Sequence, residues 1–502
     1  MQRILTVNGM RECEAAADKN GVSLASLMDN AAEGLFCEVM RVYQKHYNTG
    51  KITILAGKGN NGGDGIVLAR LLSEAGVRTS LLLVCGQPAT ELAKAAFARL
   101  PENVLVYNLP FDKALEETKS CDILIDCVFG TGFSGEIKGS AVPVFEAANA
   151  SKAYKIACDI PSGCDAQTGL CSKLSFNADM TVTFHRKKLG YALSPARELC
   201  GDIKVCDIGI DESLENRREV ITEYERADLA GLLPKRPAYG HKGTFGRVLC
   251  ITGCENYIGA AAMSALAAMR CGAGLVTVAT EPYVISALAG GLYECTFLPV
   301  KDYTTDEISC ALKSADAVLI GCGLSISESR KQLLKDIIRT SQVPVVIDAD
   351  GLNMLSCDIK MLEGHSNDII LTPHIGELAR LCGVDNGRAV KQRSTLAAAL
   401  SEKYNVTVVS KSAETLIFSG GKNILTRFGN TALAKGGSGD MLSGMAASFL
   451  AQGADVTSAA VLACGVLGLS AQRLCESGMS PRGVLARDIL CEIPRTLSDI
   501  EE

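Results

Sequence analysis

Histidine is scarce in this chain, five among 502 residues, and cysteine, though it occurs 21 times, never forms a CxxC pair. Structural zinc needs paired thiol or imidazole spacing, and a disulfide framework belongs to short secreted chains, so both are set aside. Many thiols lie in apolar strand-like runs such as Leu249-Cys250-Ile251, which reads as buried, reduced cysteine in a cytoplasmic protein. A basic excess is missing too: the formal net charge is −6, which argues against a nucleic-acid footprint. No strongly apolar run reaches the roughly 18 residues of a membrane span. Met1-Gln2-Arg3 leads into mixed polar sequence without an apolar core, so no signal peptide is expected. What remains, 47% hydrophobic and 21% charged residues, describes a compact soluble protein whose length suggests about three domains.

Residues 1 to about 48 read as helices, with apolar residues at helical spacing over 25–42. A short strand over 51–56 runs into GKGNNGGDG at 57–65 and then into helical sequence over 66–75. Strand, glycine loop and helix is the setting in which such a loop carries meaning. Gly57-x-Gly59-x-x-Gly62 has the letters of a dinucleotide fingerprint. Yet the second strand, 79–84, ends in Cys85-Gly86-Gln87, without the acid that holds ribose hydroxyls. A Walker loop fails as well, because Gly63 stands where its lysine belongs. Neither account explains Asn60, Asn61 and Asp64.

Two more strand ends deliver acids, Asp126 ahead of Val128-Phe129-Gly130-Thr131-Gly132 and Asp159 ahead of Ile160-Pro161-Ser162-Gly163. Singly, each acid reads as a turn cap. Three polar strand ends in one alternating segment point instead to a ligand site beyond the carboxyl ends of a parallel sheet. TVTFHRKK at 181–188 reads as a solvated strand end, and a charged stretch over 211–218 marks a junction. The expected organisation is a domain at 1–213, a linker at 214–222 and a second domain at 223–502.

The second half alternates again, with strands expected over 247–252, 275–279, 317–320, 344–347, 369–371 and 406–409 and helices between them, giving another parallel sheet. Its strand ends carry Gly321-Cys322-Gly323, Asp348-Ala349-Asp350, Thr372-Pro373-His374 and Lys411-Ser412. The stretch GNTALAKGGSGDMLSG at 429–444 is too glycine-dense for a strand and precedes helix-compatible sequence. Backbone N–H groups turned inward at a helix start make an anion site. Asp440 would repel a bound phosphate, a cost that makes sense if it takes a proton from a hydroxyl about to be phosphorylated. For an isolated GxGD, helix capping explains the acid equally well. The small-residue run at 459–471 reads as core.

These motifs resemble a known family. GKGNNGGDG, Asp126 with VFGTGFSG, and DIPSG are similar to the NAD(P)H-hydrate epimerase domain. HKGTFGRVLCITG, GLVTVAT, LTPHIGEL, KSAET and KGGSGD resemble the ADP- or ATP-dependent NAD(P)H-hydrate dehydratases, which have a ribokinase-like fold. In this order the two sets span nearly the whole chain and resemble the bifunctional nicotinamide-nucleotide repair enzymes. The chain departs from the family at Asn430-Thr431-Ala432-Leu433, often Asn-Pro-Gly-Met there, and at GCGLS, often GPGLG; both bear on nucleotide preference.

The resemblance implies an α/β protein, a Rossmann-like doubly wound α/β/α domain followed by a ribokinase-like α/β/α domain. Its substrates would be NADH and NADPH hydroxylated at C6 of the reduced ring. In the first domain, Asn60, Asn61, Gly62, Gly63 and Asp64, with Gly130, Thr131, Gly132, Phe133, Ser134, Gly135 and Glu136, would hold the phosphates and ribose. Asp159 would transfer a proton near C6, and Asn61, Asp126 and Ser162 would bind K⁺ through oxygen. In the second domain, Asp440 would be the base, Ala260, Gly323 and His374 would line the hydrate site, and Lys411, Ser412, Ala413, Glu414, Thr415 and Gly439 would contact ADP or ATP with Mg²⁺. The expected partners are these small molecules, with no nucleic acid and no membrane, in a cytoplasmic homo-oligomer. Two other readings share these residues: a ribokinase-type small-molecule kinase fused to a dinucleotide sensor, and a first domain kept only as an adaptor.

Overall fold

The computed structural model describes residues 1–47, 49–108 and 112–502. It divides into two compact units, Arg3–Ile221 and Thr222–Glu502 with Met1–Gln2. The first is built on a seven-stranded sheet in the order Leu105–Tyr107, Thr79–Leu83, Ile52–Ala56, Ile123–Cys127, Tyr154–Cys158, Met180–Phe184, Asp202–Cys206. Every pairing in it is parallel. Strands Ile52–Ala56, Thr79–Leu83 and Ile123–Cys127 are buried along their whole length, as apolar runs in a sheet covered on both faces must be. Alternation sends Ile54 and Ile125 into one apolar layer and Leu55 and Leu124 into the other. Strand order reverses between Ile52–Ala56 and Ile123–Cys127, and that reversal opens a crevice at their carboxyl ends.

Two expectations for this half need correction. The amino terminus is not helical throughout: Gln2–Leu5 is a strand, with Ile4 and Leu5 registered on Lys187 and Lys188. Thr6 then caps the helix Val7–Lys19, accepting from the Gly9 N–H. Four residues are too few for a periodicity to show. The helical stretch expected to end near 48 is Leu24–His46; position 48 itself lies outside the described residues. The expected linker, 214–222, is not free chain either. Glu215 is buried against His185 at 3.2 Å and Arg186 at 2.8 Å, and the strand Val220–Tyr224 begins inside the segment.

In the second unit the strands run Thr296–Pro299, Leu275–Thr280, Arg247–Ile251, Ala317–Ile320, Val345–Ile347, Ile369–Leu371, Thr407–Ser410, Thr415–Ser419, Lys422–Thr426. Pairing is parallel as far as Thr407–Ser410, and the last two strands join antiparallel. The expected all-parallel sheet is therefore corrected at its edge, where Gly420 and Gly421, both at positive φ, close a tight hairpin. The order again reverses beside the first strand, between Arg247–Ile251 and Ala317–Ile320.

Helix Ser438–Ala451 is buried from Met441 onward and crosses helix Ile258–Arg270 so closely that a Cβ on Gly444 would lie 2.1 Å from the Ser264 carbonyl oxygen. Val456–Glu476 has the length and apolarity of a membrane span, yet Ala459 through Leu467 are buried in the unit's core.

Candidate active sites

At the first crevice, strand Ile52–Ala56 hands over to the glycine loop, and helix Asn60–Glu74 starts inside it. Gly62 is required by packing, since a Cβ there would come within 1.9 Å of the Gly57 carbonyl oxygen. The crevice opens into a cavity of about 700 Å³, walled by Asn60, Asn61, Asp64, Gly130–Ser134 and Asp159. Gly62 and Gly63 lie buried beneath the loop, and Glu136 turns away to accept from Ser172 Oγ–H at 2.8 Å. Of the residues expected to hold substrate, those three and Gly135 are not on the wall.

Asp126 and Ser162 form a buried pair that does not reach the cavity wall. The Ser162 N–H and Oγ–H each donate to the Asp126 carboxylate at 2.7 Å, and the Val128 N–H donates at 3.1 Å. Burial lifts the Asp126 carboxyl to about 6 against these three donors. Ser162 Oγ also accepts from the Phe129 N–H at 2.7 Å. Asn61 packs on the next residue: a Cβ on Gly130 would lie 3.2 Å from Asn61 Cγ. Asn61 Nδ2 is buried without a partner.

Asp159 sits at φ +62° after strand Tyr154–Cys158. Its Oδ1 accepts from Lys188 Nζ at 2.8 Å, Tyr191 OH at 3.2 Å and Thr183 Oγ1 at 3.3 Å. Lys188 is 1% exposed, so the basic cluster at 181–188 is not a solvated strand end. Its lysine turns inward because Asp159, Thr183 and the Phe184 carbonyl satisfy its three donors. Glu14, from helix Val7–Lys19, reaches the same wall. Burial first, then the charges of Asp159 and Glu14, hold the Asp64 carboxyl well above its ordinary range, with Lys188 opposing. Glu14 is raised as well, by burial and by Asp159, against Lys188 and Arg11.

In the second unit the expected residues gather at the carboxyl ends of adjacent strands. A Cβ on Gly323 would lie 2.7 Å from that of Ala260, so these two are in contact. Lys411 Nζ donates to Asp348 Oδ1 at 2.8 Å and stands 3.9 Å from Glu377 Oε2. Ser443, one turn beyond Asp440, donates to Asp348 Oδ2 at 2.5 Å and ties the helix start to the ion pair. Gly437 caps that helix at φ +96°, and a Cβ on Gly439 would be 3.3 Å from Lys411 Nζ. The backbone N–H groups of the loop thus open beside a lysine. Ser438 Oγ is buried there without a partner. Burial, then the nearby Asp348 charge, raises the Asp440 carboxyl, with Lys411 opposing.

His374 caps helix Ile375–Cys382, its Nδ1 accepting from the Gly376 N–H at 3.0 Å while Glu377 accepts from the His374 N–H at 2.8 Å. Burial and Lys411 hold its imidazole below the ordinary value. Ser412 and Ala413 are exposed, whereas Glu414 is buried and its carbonyl accepts from Arg393 at 2.8 Å.

Sequence reasoning passed over Lys188, Tyr191 and Glu14 in one site and Asp348, Glu377 and Ser443 in the other. Asp348 was visible as a strand-end acid. For Lys188 and Glu14 no local signal exists, since a basic run and a helical glutamate are ordinary surface features.

Two doubly wound sheets, each with polar groups gathered at the carboxyl ends of its strands, define a two-site α/β enzyme whose second half is ribokinase-like. The family model for NAD(P)H-hydrate dehydratase matches residues 248–495, and that for the YjeF-related protein N-terminus matches 24–190. The bifunctional NAD(P)H-hydrate repair enzyme Nnr of Coxiella burnetii is 36% identical over 96% of both chains. That of Moorella thermoacetica is 33% identical over 95% of this chain and 93% of its own. Among solved structures, the ADP/ATP-dependent NAD(P)H-hydrate dehydratase of Bacillus subtilis, co-crystallised with ATP and Mg²⁺, superposes with a TM-score of 0.51 at 30% identity, covering 56% of this chain and 99% of that one. The chain belongs to the family of bifunctional NAD(P)H-hydrate repair enzymes.

Proposed function

We propose that unit Arg3–Ile221 interconverts the R and S epimers of hydrated NADH and NADPH, and that unit Thr222–Glu502 returns the S epimer to the reduced dinucleotide at the expense of ADP or ATP. The observation that carries the second half is Lys411 Nζ standing against the backbone of Gly439, the residue before Asp440 in the first turn of helix Ser438–Ala451. Loop N–H groups and Lys411 receive the nucleotide phosphates. Asp440 takes the proton of the C6 hydroxyl, whose oxygen attacks the terminal phosphorus. Phosphate then leaves C6 with the bonding pair, and loss of a C5 proton closes the ring double bond. Magnesium accompanies the nucleotide.

In the first unit Asp159 is the proton-transfer group. The Asn61, Asp126 and Ser162 set fits K⁺: all three offer oxygen, and turning the Asn61 amide over puts Oδ1 where Nδ2 now lacks a partner. The ion would tie three strand-end loops together. A cytoplasmic assembly of identical chains completes the reading, in keeping with 21 free thiols.

Purified chain mixed with hydrated NADH, magnesium and ADP or ATP should restore reduced-ring absorbance and release phosphate. A stable phosphoester with no reduced dinucleotide would mean a kinase instead.

A further inference from the structure

The first cavity holds more acid than one proton-transfer group requires. Asp64 stands on helix Asn60–Glu74 beyond strand Ile52–Ala56, and Asp159 follows strand Tyr154–Cys158. One strand, Ile123–Cys127, lies between those two strands, which are therefore about 10 Å apart at the usual strand spacing. Both carboxyls line the same cavity, from opposite sides of the reversal point. Their surroundings differ in kind. Asp159 is ion-paired with Lys188 at 2.8 Å and accepts from Tyr191 and Thr183. Asp64 has no hydrogen-bond or ion-pair partner among the described residues. The charged and titratable groups facing it are Asp159, Glu14 and Lys188 with the buried thiols of Cys127 and Cys158, and Arg11 in turn faces Glu14.

We propose that Asp64 is a second catalytic residue of the epimerase site, donating a proton to the departing C6 oxygen, while Asp159 deprotonates the water that arrives on the other face, and that Lys188 is the positioning residue that assigns these roles. The proposal rests on the reading of hydrated NADH and NADPH as substrates. Asp64 gives its proton to the C6 hydroxyl, the carbon–oxygen bond breaks with its electron pair on oxygen, and water leaves. The N1 lone pair forms a carbon–nitrogen double bond, leaving a planar cation. Water then adds to C6 from the opposite side and Asp159 takes its proton. The atoms balance, and one proton has passed from Asp64 to Asp159; the reverse conversion or exchange with solvent returns it. Displacement between a donor carboxyl and an acceptor carboxyl lining one cavity is the logic of inverting glycoside hydrolysis. A high proton affinity at Asp64, caused by burial beside two other carboxyls, supports the donor role.

The test uses the full-length chain and the R epimer of hydrated NADH in water enriched in oxygen-18. Wild type is expected to place one labelled oxygen at C6 for each R-to-S conversion. Asp64→Asn should lower conversion and label uptake together by about 10²–10⁴-fold, and Asp64→Glu should regain part of both. The wild-type rate should fall on the alkaline side as Asp64 loses its proton. Lys188→Met, which removes the 2.8 Å partner of Asp159, should lower kcat with KM little changed, and Lys188→Arg should regain part of the loss. Conversion by Asp64→Asn within tenfold of wild type, conversion without label, or a rate that keeps rising with pH each overturns the proposal. If Asp64→Asn fails to fold, the wild-type label and pH profile still decide. A wild-type chain that does not convert the epimers at all fails the functional reading instead.

Discussion

Lys188 and Asp440 are opposite cases at the residue scale. Asp440 could be singled out in the sequence because the glycines before it announce a helix start, and a carboxylate there needs a reason. Lys188 sits in a basic run that on statistics alone belongs in water; only the fold brings Asp159 to meet it. For Asp440 the expected outcome is specific. Asp440→Asn keeps size and capping capacity but cannot accept the hydroxyl proton, so dehydration should drop about 10²–10⁴-fold with nucleotide affinity retained or improved. Near-normal turnover in the folded variant would leave the acid as a cap only. Glu377 yields a prediction about stability. Its carboxyl is raised to about 7, by burial first and then by the Asp348 charge, against Lys411 and the His374 N–H. A carboxyl whose folded value exceeds its unfolded value binds its proton more tightly in the folded state, so it favours folding while protonated. That contribution is present below about 4.5 and is lost as pH rises through about 7, up to about 3 kcal/mol in all. Glu377→Gln should therefore gain stability over wild type across this window, seen as diverging denaturant midpoints. Parallel curves would show that Glu377 titrates normally.

At the scale of elements, the helix Ser438–Ala451 links packing to chemistry. Its small residues allow the close crossing over Ile258–Arg270, and Ser448 fastens it further by donating to the Ala268 carbonyl at 2.8 Å. Gly444→Ala would drive a methyl into the Ser264 carbonyl and should destabilise the second unit by about 1–3 kcal/mol. Because Ser443 ties the same turn to Asp348, dehydratase activity should fall with it while epimerisation is spared, which assays of both activities on one preparation would reveal. Wild-type dehydration in that variant would show that the loop is positioned independently of the crossing. Strands were legible where they were long apolar runs at the sheet centre, such as Ile123–Cys127. The hairpin Thr415–Ser419 and Lys422–Thr426 was missed because its first residue, Thr415, closes a motif read as a nucleotide loop.

At the scale of the whole molecule, the division into two units invites separation. A fragment ending at Ile221 should epimerise alone, whereas one ending near Asp211 should be less stable, having lost Glu215 and its contacts with Arg3, His185 and Arg186. A fragment beginning at Thr222 should consume only the S epimer; equal clearance of both epimers would refute the division of labour. Asp126→Ala offers a second check of independence. It strands three buried donors, each worth about 1–3 kcal/mol when unpaired, and should weaken epimerisation while leaving dehydration intact. Equal loss of both activities would mean that the units are coupled.

The amino-acid order by itself determined the alternating α/β architecture, the two glycine loops and the acids at strand ends. Those are properties of contiguous segments: apolar runs, turn chemistry and the need for N–H groups at a helix start. The tertiary structure alone decided what surrounds each acid. Asp64 and Asp159 are the same letter in two glycine-containing loops of one sheet, yet one meets a buried lysine and the other faces two more carboxyls. Proton affinity depends on burial and on charges brought from distant parts of the chain, here Glu14 and Lys188, and no local pattern encodes those neighbours.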